Sequence, residues 1–301
     1  MGDIDNNNID VDMDEDQIAG AVTEGAATIL PIPIIEKESK KKDHAKKDET
    51  PEVFYNPVQV QNRDISILGI DTYHKLRESG KMWRPKQPKV PEGEEPPSGK
   101  LRVLEALAAS GLRTIRYAKE LDCVDEVVAN DLSIDAVKHM KRNLEHNGLS
   151  EDGKVKVRAQ HANALQHMYQ AAFGMEGGQY DVIDLDPYGS VAPFLDAAVQ
   201  AVKNGGLLCI TSTDSAVLCG KHPDVSAYKY NSTPVKAEFR HEAAIRTLLY
   251  SIESAAAKYG KSIKPLLSVS FDFYYRVFVQ VRDSVILTKR HGINTSLVLQ
   301  C

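Results

Sequence analysis

In DVIDLDPYGS, residues 181 to 190, a short apolar run carrying one acid at Asp184 is stopped by Asp186, Pro187, Tyr188 and Gly189. Proline and glycine end a strand, so a carboxylate is left at the strand's C-terminal end. That is the edge at which open α/β sheets place their ligands. A structural reading is also open, in which Asp186 starts a turn, Pro187 fixes its φ and Tyr188 packs. The chemical reading concerns an exocyclic amine on a nucleobase, a poor nucleophile because its lone pair is delocalised into the ring. A carboxylate accepting one N–H and a backbone carbonyl accepting the other draw that nitrogen toward tetrahedral geometry and take its proton during group transfer. Asp186 and the Pro187 carbonyl suit those two parts. Tyr188 can stack on the base, and Gly189 leaves room for it.

A second cluster lies in EALAASGLRT, residues 105 to 114, where Glu105 sits inside a strand and Gly111 opens a helix. Small side chains at Ala106, Ala108, Ala109 and Ser110 let a ligand approach the backbone and the helix N-terminus. With one glycine this is not GxGxxG, and a tight structural turn is the alternative. Twenty residues after Gly111, Asp131 ends the next strand, the spacing at which an acid reaches the ribose hydroxyls of a nucleotide over the first turn. An N-cap role for Asp131 is equally open. A nicotinamide dinucleotide needs a glycine-lined path for its pyrophosphate, whereas S-adenosylmethionine has no phosphates. The poor glycine count favours the methyl donor.

These residues need a frame, and the chain supplies an alternation of short apolar and longer amphipathic runs. LRVLEAL (101 to 107), EVVAN (126 to 130), VKVRA (155 to 159), YDVIDL (180 to 185) and GLLCITS (206 to 212) read as strands. Helices are expected at 111 to 121, from an N-cap at Ser133, across VAPFLDAAVQAVKN (191 to 204) and at 237 to 258. That order predicts a doubly wound α/β sheet, mostly parallel. The β-rich run at 266 to 281 suits a hairpin adding an antiparallel edge element.

The chain has 301 residues, 42% of them hydrophobic, enough for one large domain or two small ones. A formal net charge of −5 predicts no nucleic-acid partner by itself, so such a partner needs a local basic face. Cys123, Cys209, Cys219 and Cys301 contain no CxxC pair, which argues against a zinc ribbon or a secreted disulfide framework and fits a reducing compartment. No metal and no membrane span are expected. Residues 1 to 50 read as a disordered charged tail, acidic at first and then basic, with order beginning near Pro51. The acidic start argues against a mitochondrial presequence, and KKKDHAKK allows a nuclear address or a solvated linker. RPKQPKVPEGEEPPSGK (84 to 100) reads as a Pro-rich linker or insertion, and Lys81, Arg84, Lys86 and Lys89 are either candidate phosphate contacts or part of a plain solvated loop.

FYNPVQVQNRDISI, EALAASGLRTIRYAKE, VVANDLSIDAV, DVIDLDPYGSVAPFLDAAVQAV and GGLLCITSTDSAVLCG, continued by YKY, RHEAAIR and LLSVSFDFYYRVFV, resemble successive blocks of the tRNA guanine-26 N2-dimethyltransferase family. The resemblance covers roughly residues 51 to 281. It implies a seven-stranded class I, Rossmann-like methyltransferase domain that binds S-adenosylmethionine and twice methylates a guanine amine of tRNA, a base that must leave the stack. Carried over by position, it implies Arg63, Arg113, Asp131 and either His161-Ala162 or Asn163-Ala164 at the cofactor, beside Glu105 and Gly111 of the first turn, and Asp186 as catalytic acid. An aspartate of the family is missing from QHANAL at 160 to 165. Residues 282 to 301 do not resemble the family, whose C-terminal tRNA-binding domain is expected to be absent, leaving a catalytically silent RNA- or partner-binding product as the second reading. The family is associated with nucleus and mitochondrion.

Overall fold

The computed structural model describes residues 20–31, 55–86, 99–234 and 236–298. Most of the charged tail, the KKKDHAKK run, Lys89 and most of the Pro-rich segment lie outside the described residues.

The first described segment is a hairpin, β1 (Val22–Glu24) and β2 (Ala27–Ile29). It overturns the expectation of disorder up to residue 50 for this stretch. Ala27 and Ile29 bury their side chains in the domain core, and backbone amides of Thr28 and Leu30 donate to Asn147 and Asn143. A three-residue apolar strand between charge blocks is anchored by partners more than a hundred residues away, which no local pattern announces. Helix α1 (Val60–Glu78) follows a 3-10 turn capped by Asn56. The sequence reading missed this helix because its inward face mixes Asn62, Arg63 and Ser66 with Ile70 and Tyr73.

The core alternation then runs β3 (Leu101–Glu105), α2 (Leu112–Glu120), β4 (Val124–Asp131), α3 (Ile134–His146), β5 (Lys156–His161), α4 (Ala164–Ala172), β6 (Tyr180–Leu185), α5 (Leu195–Ala201) and β7 (Val202–Ser212). Short helices α6 (Ser215–Leu218) and α7 (Pro223–Tyr230) lead to the long α8 (Arg240–Ala257), and β8 (Lys261–Phe271) and β9 (Tyr274–Asp283) form the expected hairpin. Two single-turn helices, α9 (Val285–Thr288) and α10 (His291–Asn294), follow.

The main sheet has seven strands in the order β5-β4-β3-β6-β7-β9-β8. β3 to β7 are parallel, and β9 and β8 are antiparallel at one edge. Apolar side chains alternate to two cores. One lies against α4, α5 and α8 and includes Leu104, Ile183 and Ile210; the other lies against α1, α2 and α3 and includes Val103, Val182 and Phe278. Sheets buried on both faces carry near-continuous apolar strands, which is why β6 reads YDVIDL with every residue buried. The chain leaves β3 toward β4 and β5, then returns to β6 on the other side, so the strand order reverses between β3 and β6. The turns after these two strands meet there, at the position where doubly wound folds open a crevice.

Candidate active site

The turn after β3 is held from below and from the side. Its Ala106 amide donates to the Asp184 carbonyl of β6 (3.1 Å), and the buried Asn130 side chain donates to both the Ala106 carbonyl (3.0 Å) and the Ala162 carbonyl (3.1 Å). One carboxamide therefore ties the ends of β3, β4 and β5 together. Asp131 accepts from the Ala109 amide (2.9 Å) and from the Ser133 amide (2.8 Å). Ala109 sits at φ +47°, a left-handed conformation that costs a non-glycine residue free energy, and the Asp131 contact helps hold it. Gly111 is the N-cap of α2 at φ +76°, and a Cβ there would lie 2.7 Å from Met140 Cγ. The turn is thus a shallow cradle of small residues between a helix N-terminus and an acid.

The N-cap of α3 is Ser133 and not Asp131, whose carboxylate holds the Ser133 amide just ahead of the helix and the Ala109 amide of the cradle. At the next strand end, Ala162 stays at the strand's tip, and Asn163 is the N-cap of α4, its Oδ1 accepting from the Leu165 amide at 2.9 Å. The acceptor of Asn163 is committed to the helix.

The second turn brings Asp186 beside this cradle. Asp186 Oδ2 is paired with Arg113 of α2, and its side chain keeps 21% of its surface exposed where Arg113 keeps 5%. Arg113 also donates to Ser66 Oγ of α1 (2.7 Å) and lies 3.7 Å from Asp184 and 3.6 Å from Glu105. Below it, Arg276 of β9 donates to both Asp184 oxygens (2.9 and 2.6 Å), to Thr211 Oγ1 (2.7 Å) and to Ser66 Oγ (2.7 Å). Burial pushes the Asp184 carboxyl upward, and the two guanidiniums overcome that and hold it below its ordinary value. Glu105 goes the other way. Burial raises it to about 8 against the pull of Arg113 and the Thr114 hydroxyl, so it carries a proton at neutral pH. Two carboxylates then face two guanidiniums, and the buried cluster is neutral as a whole.

Tyr188 stands out of the turn, 81% exposed, while Pro187 is buried. The turn is fastened by a reciprocal pair: the Gly189 amide donates to Thr213 Oγ1 (2.7 Å) and the Thr213 amide donates to the Gly189 carbonyl (3.0 Å).

Three of the expected contacts have partners within the chain or a place away from the turn. The Arg63 guanidinium pairs with Glu24 of the hairpin (Nε to Oε1 2.7 Å), donates to the Asn56 carbonyl and lies over the Tyr55 ring. The salt bridge is buried, with Arg116 bound to the same carboxylate at 2.8 Å. Arg113 is paired with the candidate catalytic carboxylate. Lys81, Arg84 and Lys86 sit at the far end of α1, where Trp83 and Pro85 approach Gly205 at the start of β7. From Asn62 to Glu78 the helix runs about 24 Å, so this basic loop lies at the opposite edge of the sheet from Asp186.

Sequence reasoning missed Asn62, Ser66, Thr211, Tyr274 and Arg276. For Arg276 a signal existed: an arginine inside the apolar strand YYRVFVQV and an aspartate inside VIDL are two opposite charges that burial forces to pair.

Comparison with known proteins identifies the family. The family model for N2,N2-dimethylguanosine tRNA methyltransferase matches residues 34–301, past the Val281 limit of the motif resemblance. A tRNA (guanine(26)-N(2))-dimethyltransferase of Schizosaccharomyces pombe is 43% identical over 83% of this chain and 50% of its own length. The human protein of that name is 40% identical over 83% of this chain and 42% of its own. Trm1 from Pyrococcus horikoshii, solved with S-adenosyl-L-methionine, superposes with a TM-score of 0.71 at 32% identity, covering 90% of this chain and 63% of that one. The chain spans about half the length of the curated relatives it matches. With a seven-stranded Rossmann-like sheet, a cradle at its switch point and this extent of identity, the chain belongs to the N2,N2-dimethylguanosine tRNA methyltransferase family.

Proposed function

We propose that this chain transfers methyl groups from S-adenosylmethionine to the exocyclic N2 amine of guanine at position 26 of tRNA, giving N2-methyl- and N2,N2-dimethylguanosine. The observation that carries the reading is the placement of Asp186, partly exposed and held by Arg113, directly beside the small-residue turn 106–111 and Asp131. Those residues fit the methyl donor: the turn admits close approach to backbone amides, and Asp131 stands at the tip of β4 where a ribose would be received. When bound there, the cofactor supplies an electrophilic methyl group on its sulfonium.

The chain's own residues do the rest. Asp186 accepts an N–H of the base amine, localising the nitrogen lone pair, and takes the proton as the new C–N bond forms. Arg113 fixes the carboxylate through Oδ2, so the base is met by the remaining lone pairs, and Asp186's exposed edge hands the proton to solvent. The Pro187 carbonyl accepts the second N–H. Tyr188 supplies a flat, exposed face for a base turned out of its helix. A metal has no part in these steps, and no helix among the described residues is long and apolar enough to cross a membrane. We assign the nucleus from the basic run at 40 to 47. A relative in Saccharomyces cerevisiae is named as mitochondrial, which makes that compartment the second reading.

The test is transfer of labelled methyl from S-adenosylmethionine to unmodified tRNA, with Asp186→Ala and a tRNA carrying adenine at position 26 as controls. Label recovered as N2-methylated guanosine, and lost in both controls, supports the reading. Bound cofactor with no transfer assigns this chain the methyl-donor site alone, with substrate docking supplied by sequence outside it.

A further inference from the structure

Two buried polar groups beside Asp186 have no hydrogen-bond partner among the described residues: the Tyr274 hydroxyl and Asn62 Oδ1. Tyr274 is 1% exposed and Asn62 is fully buried. Buried polar atoms are nearly always satisfied, and those that are not concentrate where a ligand completes them.

Their position follows from the sheet. On β9, Tyr274, Arg276 and Phe278 share one face, the face of α1 and α2, while Tyr275 and Val277 point to α8. Arg276 reaches across β7 to Asp184 on β6. β9 is antiparallel to β6, so moving two residues from Arg276 to Tyr274 goes in the same direction as moving from Asp184 to Asp186. In register Asp184 is level with Cys209 and Phe278, so Asp186 comes level with Thr211 and Arg276, and Tyr274 lies one rung further out at the C-terminal edge. Phe271 and Phe273, with ring centroids 6.0 and 5.9 Å away, close over Tyr274 from the hairpin tip. Burial, opposed by Arg276 and reinforced by the charge of Asp186, holds the phenol above its ordinary value, so it is a hydrogen-bond donor across the neutral range.

Asn62 completes the set from α1. Its Nδ2 donates to Gln59 Oε1 at 2.7 Å and lies 3.5 Å from Asp186 Oδ2 and from Thr211 Oγ1. That fixes the amide so that Oδ1 is the unused atom, an acceptor.

Resting on the proposed guanine methyl transfer, we infer that Asn62 and Tyr274 are specificity-determining residues that read the Watson–Crick edge of the flipped base. Along that edge guanine presents the N2 amine, then N1–H, then O6: donor, donor, acceptor. Asp186 accepts from the amine, Asn62 Oδ1 accepts from N1–H, and the Tyr274 hydroxyl donates to O6. Adenine puts an acceptor against Asn62 Oδ1, which is left unpaired, and an amine where the Tyr274 hydroxyl proton needs an acceptor, so it is rejected by the cost of those mismatches.

The test compares tRNA carrying guanine with tRNA carrying 2-aminopurine at position 26, which keeps the amine and lacks both N1–H and O6. Wild-type enzyme is expected to prefer guanine in kcat/KM by about 100-fold, and Tyr274→Phe and Asn62→Ala each to lose about tenfold or more on guanine with little change on 2-aminopurine. Cofactor affinity, measured by calorimetry, is expected to stay within twofold. Tyr274→Phe deletes one unpaired oxygen, so its thermal stability checks that the fold is intact. A preference unchanged in both variants overturns the inference, as does a loss that appears in cofactor affinity, which would give the hydroxyl to the methyl donor. Wild-type protein that methylates neither tRNA overturns the functional reading, and this one with it.

Discussion

Asp184 and Arg276 meet with no side-chain exposure on either partner. A pair so placed is no proof of net stabilisation, because both ions gave up water, but removing one partner strands the other. Arg276→Ala is expected to lower unfolding free energy by about 3 to 5 kcal/mol in urea titration, and adding Asp184→Ala to recover part of that loss. Glu105 makes a different prediction. Its carboxyl is raised to about 8 in the folded chain from an ordinary 4.5, so folding takes up a proton between those values. Its contribution to stability is full below about 4.5 and is lost as pH rises through about 8. Glu105→Gln carries no such proton, and relative to the parent it should gain stability on the order of 1 kcal/mol per pH unit across that window. Urea midpoints at pH 5, 6.5 and 8 check it; a constant difference would mean that Glu105 is ionised in the folded protein.

Strands β3 to β7 were legible because burial on both faces leaves continuous apolar runs, and the run at 266 to 281 because sixteen β-prone residues exceed one strand. Helix α3 was legible from its Ser133 cap, whose hydroxyl accepts from the Ala136 amide. Asp186, Asp131 and Gly111 stood out because strand ends and helix starts are where a fold of this order presents its ligand groups. What stayed hidden depends on distant partners. Helix α1 builds one wall of the site from Asn62 and Ser66, polar residues that break the periodicity by which helices are recognised. The β1–β2 hairpin is held by Glu24, which two arginines grip with only 6% of its side chain exposed. Burial pushes the Glu24 carboxyl up, and Arg63 and Arg116 more than reverse it. Glu24→Gln should therefore cost about 2 to 3 kcal/mol at pH 7, with the gap to the parent closing as pH falls through the depressed carboxyl value. Limited proteolysis of residues 20–31 is the local readout. Gly111→Ala meets both a left-handed φ and Met140, and should cost about 1 to 3 kcal/mol while weakening cofactor binding by distorting the start of α2; unchanged affinity would separate the cradle from the ligand.

At the scale of the whole molecule, the proposed tRNA substrate requires a chain with a formal charge of −5 to meet a polyanion. The sheet separates two regions that expose cations. One, with Lys81, Arg84 and Lys86, lies at the edge remote from Asp186, and Arg84 is already 3.6 Å from Glu78. The other, between β7 and α8, starts where β7 reaches the site edge and is pinned there by Tyr230, whose hydroxyl is bonded to Ser190 (2.7 Å) and Ser212 (3.2 Å). Among exposed acids at Asp224, Glu238 and Glu242 it presents Lys221, Lys236 and Arg240 with Tyr228 and Phe239, charge for phosphates beside flat faces for bases. Each phosphate contact adds about 0.7 to 0.9 to the slope of log affinity against log salt. Replacing Lys221, Lys236 and Arg240 together by alanine should weaken tRNA binding and flatten that slope by about 2, measured by fluorescence anisotropy from 50 to 300 mM salt. The matched triple change at Lys81, Arg84 and Lys86 should leave both nearly unaltered. The reverse pattern would place the tRNA across the far edge of the sheet, out of line with Asp186, and would require the flipped base to enter from a side that α1 closes.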